Sequence, residues 1–377
     1  MSIDLEFKKN QLLLNPRLPV DQKLRFEEAW NRLVEPTYTG HVGIATSGSS
    51  GSSFGKLILL SKEALRTSAR AVNERFHSGP DDIWFKSLPD FHVGGLGILV
   101  RAHLSGAKVY RDSSEKWIAA NFVEQVRDSK ATLISLVPTQ VYDLVQGGFR
   151  APPSVRAVIV GGGRFESSLR ERAFGLGWPC LASYGMTETS SQIATALSPQ
   201  DPSLVLLSHA QAKATEDGRL AVKAGSLLTA QIIFTDRGAE LFDPKRDDWF
   251  VSEDRGQVSG TSLTIEGRAS DFIKIGGEGV LVSKLEEILE QTKLEIGYKN
   301  DAVIVAAQDD RLGAAIFLIA NSSVDTDLLI SKFNEKVLPF ERIRKTEIVT
   351  AIPRSALGKL LRGAALQLVG LKALPNE

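Results

Sequence analysis

The chain has 377 residues, of which 43% are hydrophobic and 24% are charged, as is typical of a soluble globular protein with two or three domains. Lysine plus arginine and aspartate plus glutamate both number 45, so there is no basic excess to bind nucleic acid or an anionic membrane surface. Cys180 is the single cysteine, which excludes a disulfide framework and a thiolate metal cluster.

The N-terminal region shows no signal-peptide apolar segment, and the apolar stretches of the chain are too short to span a bilayer. We therefore expect a cytoplasmic enzyme without membrane insertion and without a nucleic-acid partner.

Between about residues 42 and 200, short apolar runs alternate with helical patterns, which predicts a doubly wound, mostly parallel sheet. The predicted strands are 42–45, 56–60, 107–110, 132–137, 155–160 and 179–183. The predicted helices are one capped by Ser61 and others near 116–129, 138–146 and 166–175.

Strand-like alternation with a turn at Asp217-Gly218 predicts a β-rich subdomain over about 203–267. Further along, a helix over 283–291, strands at 302–307 and 314–320 and a helix from about Asp327 form an α+β pattern. The predicted fold is therefore α/β. A large N-terminal domain, 1–267, combines the doubly wound sheet with the β subdomain, and a small C-terminal α+β domain covers 268–377.

A loop rich in serine and glycine follows the first predicted strand. Glycines let backbone N–H groups face an anion, and hydroxyls and a lysine add donors and charge, although a flexible linker has a similar composition. A Walker-type loop is excluded, because Ser50 stands where it needs glycine and Leu57 where it needs a hydroxyl. The predicted phosphate-binding residues are Thr46, Ser47, Gly48, Ser49, Ser50, Gly51 and Lys56.

A buried strand ends in Gly161-Gly162-Gly163, and strand ends of this kind border nucleotide crevices in open α/β sheets. Gly162 and Gly163 are therefore candidate nucleotide contacts, although a simple tight turn explains the glycines nearly as well.

Further motifs follow in a fixed order. They are Asp90-Phe91-His92-Val93-Gly94-Gly95, Tyr184-Gly185-Met186-Thr187-Glu188, Asp254-Arg255-Gly256, Gly267-Arg268 with Lys274-Ile275-Gly276-Gly277, and Ser355-Ala356-Leu357-Gly358-Lys359. With the serine-rich loop they resemble the adenylate-forming superfamily of acyl- and aryl-CoA ligases, luciferases and peptide-synthetase adenylation domains, over roughly residues 40 to 365. The next four residues, Ser190-Ser191-Gln192-Ile193, look most like those of the o-succinylbenzoate–CoA ligases of menaquinone synthesis.

The resemblance implies that ATP, AMP and coenzyme A bind here with Mg²⁺. It places Tyr184, with Gly185 and Met186, against adenine, Thr187 on the α-phosphate and Glu188 on Mg²⁺, an ion that suits a single carboxylate. Without the other motifs, an ordinary turn capped by Thr187 explains this segment.

By the same resemblance, His92 lies where the acyl pocket meets the pantetheine tunnel, although a core or helix-capping histidine is the plain alternative. Asp254 and Arg268 contact the ribose. Ser252-Glu253 stand where the family usually has Thr-Gly before this aspartate.

In the C-terminal part, the resemblance implies a hinge at Ser270 and CoA contacts at Lys274, Gly276 and Gly277, with Gly279 replacing the family's common asparagine. Lys359 would bind the reacting carboxylate and α-phosphate, a task for a compact charge on a flexible stem. Its plain alternative is a solvated lysine.

The predicted function is ligation of a carboxylic acid, most similar to o-succinylbenzoate, to CoA through an acyl-adenylate. Arg101 and Arg164 are candidate partners of a second carboxylate. The serine-rich loop begins after only 45 residues, so we expect a shortened N-terminal region, which bears on activity and on a possible homodimer. Two alternatives stay open: a ligase or adenylating enzyme for another aryl or fatty acid, and a nucleotide-binding pseudoenzyme.

Overall fold

The computed structural model describes residues 8–46, 55–114, 116–235, 238–268, 271–355, 358 and 360–374. Within these ranges the helices are α1 Val20–Leu33, α2 Lys62–Phe76, α3 Val93–Ser105, α4 Ala119–Ser129, α5 Pro138–Gln146, α6 Ser167–Gly175, α7 Val282–Glu295, α8 Thr326–Asn334 and α9 Arg362–Leu368. Each described helix is too short or too polar to cross a membrane.

The strands of the first half are β1 Gln11–Leu13, β2 His41–Thr46, β3 Lys56–Ser61, β4 Ile83–Lys86, β5 Lys108–Arg111, β6 Leu133–Leu136, β7 Ala157–Val160, β8 Cys180–Met186 and β9 Ser191–Ala196. Those of the second half are β10 Leu204–Leu206, β11 Ala210–Ala214, β12 Arg219–Ala224, β13 Ala230–Thr235, β14 Gly238–Phe242, β15 Phe250–Ser259, β16 Ser262–Arg268, β17 Phe272–Ile275, β18 Glu278–Leu281, β19 Ala302–Asp309, β20 Gly313–Ala320 and β21 Ile343–Ile348.

The main sheet has the order β11-β12-β15-β16-β10-β9-β8-β7-β6-β4-β5, and its strands from β8 to β5 are parallel. Apolar clusters cover both faces of this parallel part. Trp84 packs with α2 and α3 on one face, and its neighbour Phe85 packs with α4, α5 and α6 on the other, because successive strand residues point to opposite faces. The predicted doubly wound sheet is confirmed, and Cys180 lies in its core.

The strands that flank the serine-rich loop lie outside this sheet. β2 and β3 pair antiparallel in a second sheet of order β1-β2-β3-β13-β14. Residues 47–55 are too few for the crossover that parallel neighbours need, which takes about a dozen residues or more. The second sheet buries Trp30 of α1 against Gly43, where an added Cβ would lie 2.4 Å from the indole ring.

The chain divides into two compact units. The larger takes in residues up to Thr215, Leu220–Ser252 and Gln257–Thr264, and the smaller takes in Glu216–Arg219, Glu253–Gly256 and Ile265–Glu377. The predicted domain boundary at 267–268 remains a prediction.

In the smaller unit, the sheet β19-β20-β21 carries apolar side chains on both faces. Helices α7 and α8 contribute Leu285, Leu289 and Phe333 to one cluster, and α9 contributes Ala365 and Leu366 to the other. The hairpin β17-β18 precedes α7 and packs into the first cluster. This unit is the α+β arrangement that the sequence predicts.

Candidate active site

The carboxyl ends of β4, β6, β7 and β8 meet at one edge of the larger unit's parallel sheet. The chain runs outward from β4 to β5 in one direction and from β6 to β8 in the other, so the strand order reverses between β4 and β6. Open α/β sheets bind ligands outside the carboxyl ends of strands at such a reversal. His92 and Gly161–Gly163 follow β4 and β7, and Tyr184–Glu188 span the carboxyl end of β8 and the beginning of the turn after it.

Strand β8 requires glycine at one position, just before the turn that leads to β9. Gly185 pairs with Gln192 of β9 at an irregularity in the ladder. A Cβ on Gly185 would lie 2.0 Å from the carbonyl oxygen of Ser191, closer than atoms can approach. The second residue of the Tyr-Gly-Met-Thr-Glu motif therefore permits a close backbone contact that no other residue allows.

A buried hydroxyl holds this turn together. The Thr189 hydroxyl accepts a hydrogen bond from the Met186 N–H at 3.0 Å and donates to the Ser191 carbonyl at 2.6 Å. Thr187 and Glu188, half-buried, lie on the short 3₁₀ turn that these bonds close. Sequence reasoning gave Thr189 no role. The sequence did contain an indication of this role, because Thr189 stands three residues after Met186, the spacing at which a hydroxyl can cap a backbone N–H.

The glycines after β7 adjoin β8. A Cβ on Gly161 would lie 2.8 Å from the Ser183 hydroxyl oxygen, and that hydroxyl donates to the Val160 carbonyl at 3.0 Å. Gly162 has a φ of 78°, a conformation that side chains disfavour. The backbone of Gly161–Gly163 thus passes close beside the strand that leads to Tyr184.

His92 stands at the N-terminus of α3, at the end of the loop that follows β4. Asp90 holds this loop through ion pairs with Lys86 at 2.5 Å and Arg111 at 3.5 Å. The His92 Nε2 atom is buried without a hydrogen-bond partner in the described chain. Burial lowers the pKa of His92 to about 4, so its ring is neutral at physiological pH.

Arg101 lies on α3, about two and a half turns beyond His92, and its side chain is fully enclosed, with 2% of the residue exposed. Its Nη2 donates to the Ser191 hydroxyl at 3.0 Å, and its guanidinium lies 5.6 Å from the centre of the Trp84 ring. No carboxylate pairs with it among the described residues, and its Nε has no partner there. Burial lowers the pKa of Arg101 to about 10, so it keeps its charge at neutral pH.

Arg164, the other candidate for a second carboxylate, has a different environment. Its side chain is 45% exposed and its Nε lies 3.1 Å from Glu166. Arg164 is therefore already neutralised and largely solvated. A buried cation without a counter-charge makes Arg101 the stronger of the two candidates.

The ends of the serine-rich loop are held together. Thr46 and Lys56 pair across the ladder of β2 and β3, and Gly55, with a φ of 73°, brings its Cα close to the Thr46 carbonyl. Ser47, Gly48, Ser49, Ser50 and Gly51 lie outside the described residues. Phosphate binding by this loop remains a prediction.

The smaller unit carries the predicted ribose pair. Arg268 Nε lies 3.6 Å from Asp254 Oδ1, and both side chains are partly buried. Asp254 lies within β15, whereas its neighbour Glu253 is exposed. The additional carboxylate at 253 is therefore solvated.

The predicted CoA-contacting glycines form the tip of the β17-β18 hairpin. Gly276 and Gly277 have φ values of 60° and 92°, as a two-residue turn of the mirror-image type needs. Lys274 is exposed beside this turn. Ser270 and Lys359 lie outside the described residues, so the hinge and the reactive lysine stay predictions.

Magnesium is the metal that this site suits. Among the described residues no group of three His, Cys, Asp or Glu side chains could enclose a metal ion. Glu188 offers one half-buried carboxylate. That donor set fits Mg²⁺, which binds through one or two carboxylates and completes its shell with water and phosphate oxygens.

Comparison with known proteins agrees with this geometry. Residues 43–219 match the family of AMP-binding enzymes. The resemblance to the adenylate-forming enzymes is thus confirmed.

The relatives narrow the resemblance to one kind of enzyme, 2-succinylbenzoate–CoA ligase. The protein of that name from Oceanobacillus iheyensis is 26% identical over 310 residues, which are 78% of this chain and 62% of the relative. The one from Bacillus cereus is 28% identical over 350 residues, 86% of this chain and 69% of the relative. The chain thus spans less than two thirds of the length of the first relative.

Solved structures show the same likeness. The o-succinylbenzoate–CoA synthetase of Bacillus subtilis, in complex with its acyl-adenylate intermediate, is 25% identical with a TM-score of 0.72, and the match covers 85% of this chain and 68% of that one. The same enzyme in complex with ATP and a magnesium ion is 25% identical with a TM-score of 0.71, covering 85% and 69%.

Proposed function

We propose that the chain is an ATP-dependent acid–CoA ligase that works through an acyl-adenylate, and that its acid is 2-succinylbenzoate. The observation that carries the proposal is the link between the Tyr184–Glu188 turn and the buried Arg101 through the Ser191 hydroxyl. The turn offers contacts for a nucleotide, and the guanidinium offers a counter-charge for an anionic acid. The names of the relatives support both the activity and the acid.

In the first half-reaction, a carboxylate oxygen of the acid attacks the α-phosphorus of ATP. The bond from that phosphorus to the bridging oxygen breaks, and pyrophosphate leaves. Because both reactants are anions, donors and cations must surround the phosphates. We assign this role to the Thr187 hydroxyl, the Lys359 ammonium and the loop from Thr46 to Lys56. Mg²⁺ held by Glu188 would neutralise phosphate charge.

In the second half-reaction, the sulfur of CoA attacks the carbonyl carbon of the adenylate. A carbon–sulfur bond forms, the carbon–oxygen bond to AMP breaks, and the thiol proton passes to solvent. We assign CoA contacts to Lys274, Gly276 and Gly277. A neutral His92 can border the path of the thiol without adding a charge that competes for the acid.

The second carboxylate of 2-succinylbenzoate explains why Arg101 is buried without a counter-charge. An unpaired guanidinium inside a protein is costly, and in this proposal the carboxylate of the bound acid supplies the missing counter-charge. Gly97 packs directly against the guanidinium, since a Cβ there would lie 3.3 Å from Arg101 Nη2, tighter than an ordinary contact, and 3.6 Å from the Ser191 hydroxyl oxygen. A planar fork of donors also matches a carboxylate geometrically.

Release of pyrophosphate tests the proposal. The protein is mixed with ATP, Mg²⁺ and one acid from a panel that contains 2-succinylbenzoate, benzoate and a medium-chain fatty acid. We expect release with 2-succinylbenzoate alone, and a thioester on addition of CoA. Release with another acid only would contradict the substrate, and no release with any acid would favour the pseudoenzyme. Lys359→Ala should abolish the signal, with Lys332→Ala, at an exposed ion pair, as the matched control.

A further inference from the structure

The described residues on either side of Lys359 are bonded to each other. Arg354 and Leu360 pair as an isolated antiparallel bridge, and the Leu361 N–H donates to the Pro353 carbonyl at 3.0 Å. Gly358 lies inside the loop with a φ of 74°. The two described neighbours of position 359 are therefore held: the Gly358 N–H donates to the Ser355 carbonyl at 2.9 Å, and Leu360 pairs with Arg354.

Arg354 fastens the near end of this loop. Its Nε and Nη2 donate to the two carboxylate oxygens of Asp301 at 3.1 and 2.7 Å, and its Nη1 donates to the Gly358 carbonyl at 3.0 Å. One planar guanidinium thus ties the residue before Lys359 to Asp301, directly before β19. The Asp301 backbone is itself held, because its N–H donates to the side chain of Asn321.

Arg362 fastens the far end, three residues after Lys359. Its Nη1 donates to Asp271 and its Nη2 to Glu286, each at 2.6 Å. Asp271 is 7% exposed. Burial raises the pKa of Glu286, and the charge of Arg362 opposes that rise. The guanidinium thus joins α9 to α7 and to the residue next to the predicted hinge.

We propose that Arg354 and Arg362 are positioning residues that hold the loop of Lys359 in the orientation that adenylation requires. This inference rests on the proposed function, which assigns Lys359 to the reacting phosphate. A lysine on an unrestrained loop would sample many orientations, and fixing it before the reaction removes that entropic cost. Neither arginine touches substrate in this proposal.

The test removes the ability of each guanidinium to donate hydrogen bonds to two acceptors at once. Arg354→Lys and Arg362→Lys keep the charge but cannot bond two acceptors in one plane. Arg344→Lys is the matched control, because Arg344 is an exposed arginine of the same unit whose Nη2 donates to a single carbonyl at 3.3 Å. Asp301→Asn weakens the Arg354 contact from the other side.

The two half-reactions are measured separately. We expect Arg354→Lys and Arg362→Lys to lower kcat for pyrophosphate release from 2-succinylbenzoate and ATP by about 10- to 100-fold, with KM for ATP little changed. Thioester formation from supplied 2-succinylbenzoyl-adenylate and CoA should stay within about twofold of wild type, because Lys359 acts on the first step only. Asp301→Asn should reproduce the loss, and Arg344→Lys should match wild type.

Equal losses in both half-reactions, or no loss in the first, would overturn the inference. Should Arg362→Lys fail to fold because its partners are buried, Arg354→Lys and Asp301→Asn carry the test at a partly exposed contact. The reference variant is Lys359→Ala. If it loses adenylation while the arginine variants do not, only the positioning inference fails. If it keeps adenylation, the proposed role of Lys359 fails as well.

Discussion

In the proposed function, the buried charge of Arg101 is the group that would discriminate among acids. Arg101 and Arg164 were both predicted as candidates from the sequence, which did not rank them, and the structure separates Arg101 from Arg164 by burial and by the Ser191 contact. Composition could not supply that distinction, because an arginine at an apolar helix position reads equally as a stem packed in the core with a solvated head.

Replacing Arg101 by methionine tests its proposed role in binding the acid and its effect on stability. We expect Arg101→Met to lower kcat/KM for 2-succinylbenzoate by about 10- to 100-fold, the worth of a hydrogen bond to a charged group. Its melting temperature should stay equal or rise, because an apolar side chain of similar volume replaces an unpaired buried cation. The measurements are pyrophosphate release and thermal unfolding.

Arg164→Met is the control for this experiment and should leave kcat/KM for 2-succinylbenzoate unchanged. A large fall in the melting temperature of Arg101→Met would mean that the guanidinium stabilises the fold rather than the ligand. A similar loss with benzoate, which lacks a second carboxylate, would exclude the proposed contact.

At the scale of elements, the pairing of β8 with β9 depends on Gly185. Gly185→Ala should lower the free energy of unfolding by about 1 to 3 kcal/mol, since the new Cβ must displace the Ser191 backbone. Urea denaturation measures the change. The same substitution should weaken nucleotide binding, because Thr187 and Glu188 follow on the displaced turn.

Gly79→Ala provides the comparison. Nothing lies within 4 Å of a Cβ at position 79, so we expect its free energy of unfolding to stay within about 0.5 kcal/mol of wild type. If the two variants had the same free energy of unfolding, the close approach at Gly185 would not contribute to stability.

The elements themselves were largely predictable. Helices α5 and α6 and strands β6 and β8 begin and end within a few residues of their predicted bounds. The spacing of apolar residues along each segment indicated whether it forms a helix or a strand. The partners of β2 and β3 were not predictable. β3 pairs with β13, a strand far away in sequence, and β2 pairs with β1, and local periodicity carries no information on such contacts.

Across the whole molecule, the motifs predicted which residues matter but not how they are held. The order of the motifs along the chain indicated the superfamily, whereas the Thr189 hydroxyl and the contacts of Arg354 and Arg362 are tertiary features. Asp271 and Glu286 lie 91 and 76 residues before Arg362, so no window of sequence could have paired them.

The stability of the whole chain should depend on two partly buried histidines, His92 and His209. Burial lowers the pKa of His92 and of His209 to about 4, below the value of about 6.5 expected in the unfolded chain. As pH falls from about 6.5 towards 4, the unfolded chain binds protons that the folded chain excludes, so the free energy of unfolding decreases. This contribution is fully present above about pH 6.5 and is lost as pH falls through that range.

Urea denaturation at about pH 7.5 and pH 5 measures this dependence. In the double variant His92→Gln, His209→Gln, the decrease in stability between the two pH values should be smaller than in wild type, since two groups that gain protons on unfolding are gone. His103→Gln, at an exposed position of α3, should keep the wild-type decrease. An unchanged pH dependence in the double variant would show that neither ring is kept neutral by its burial.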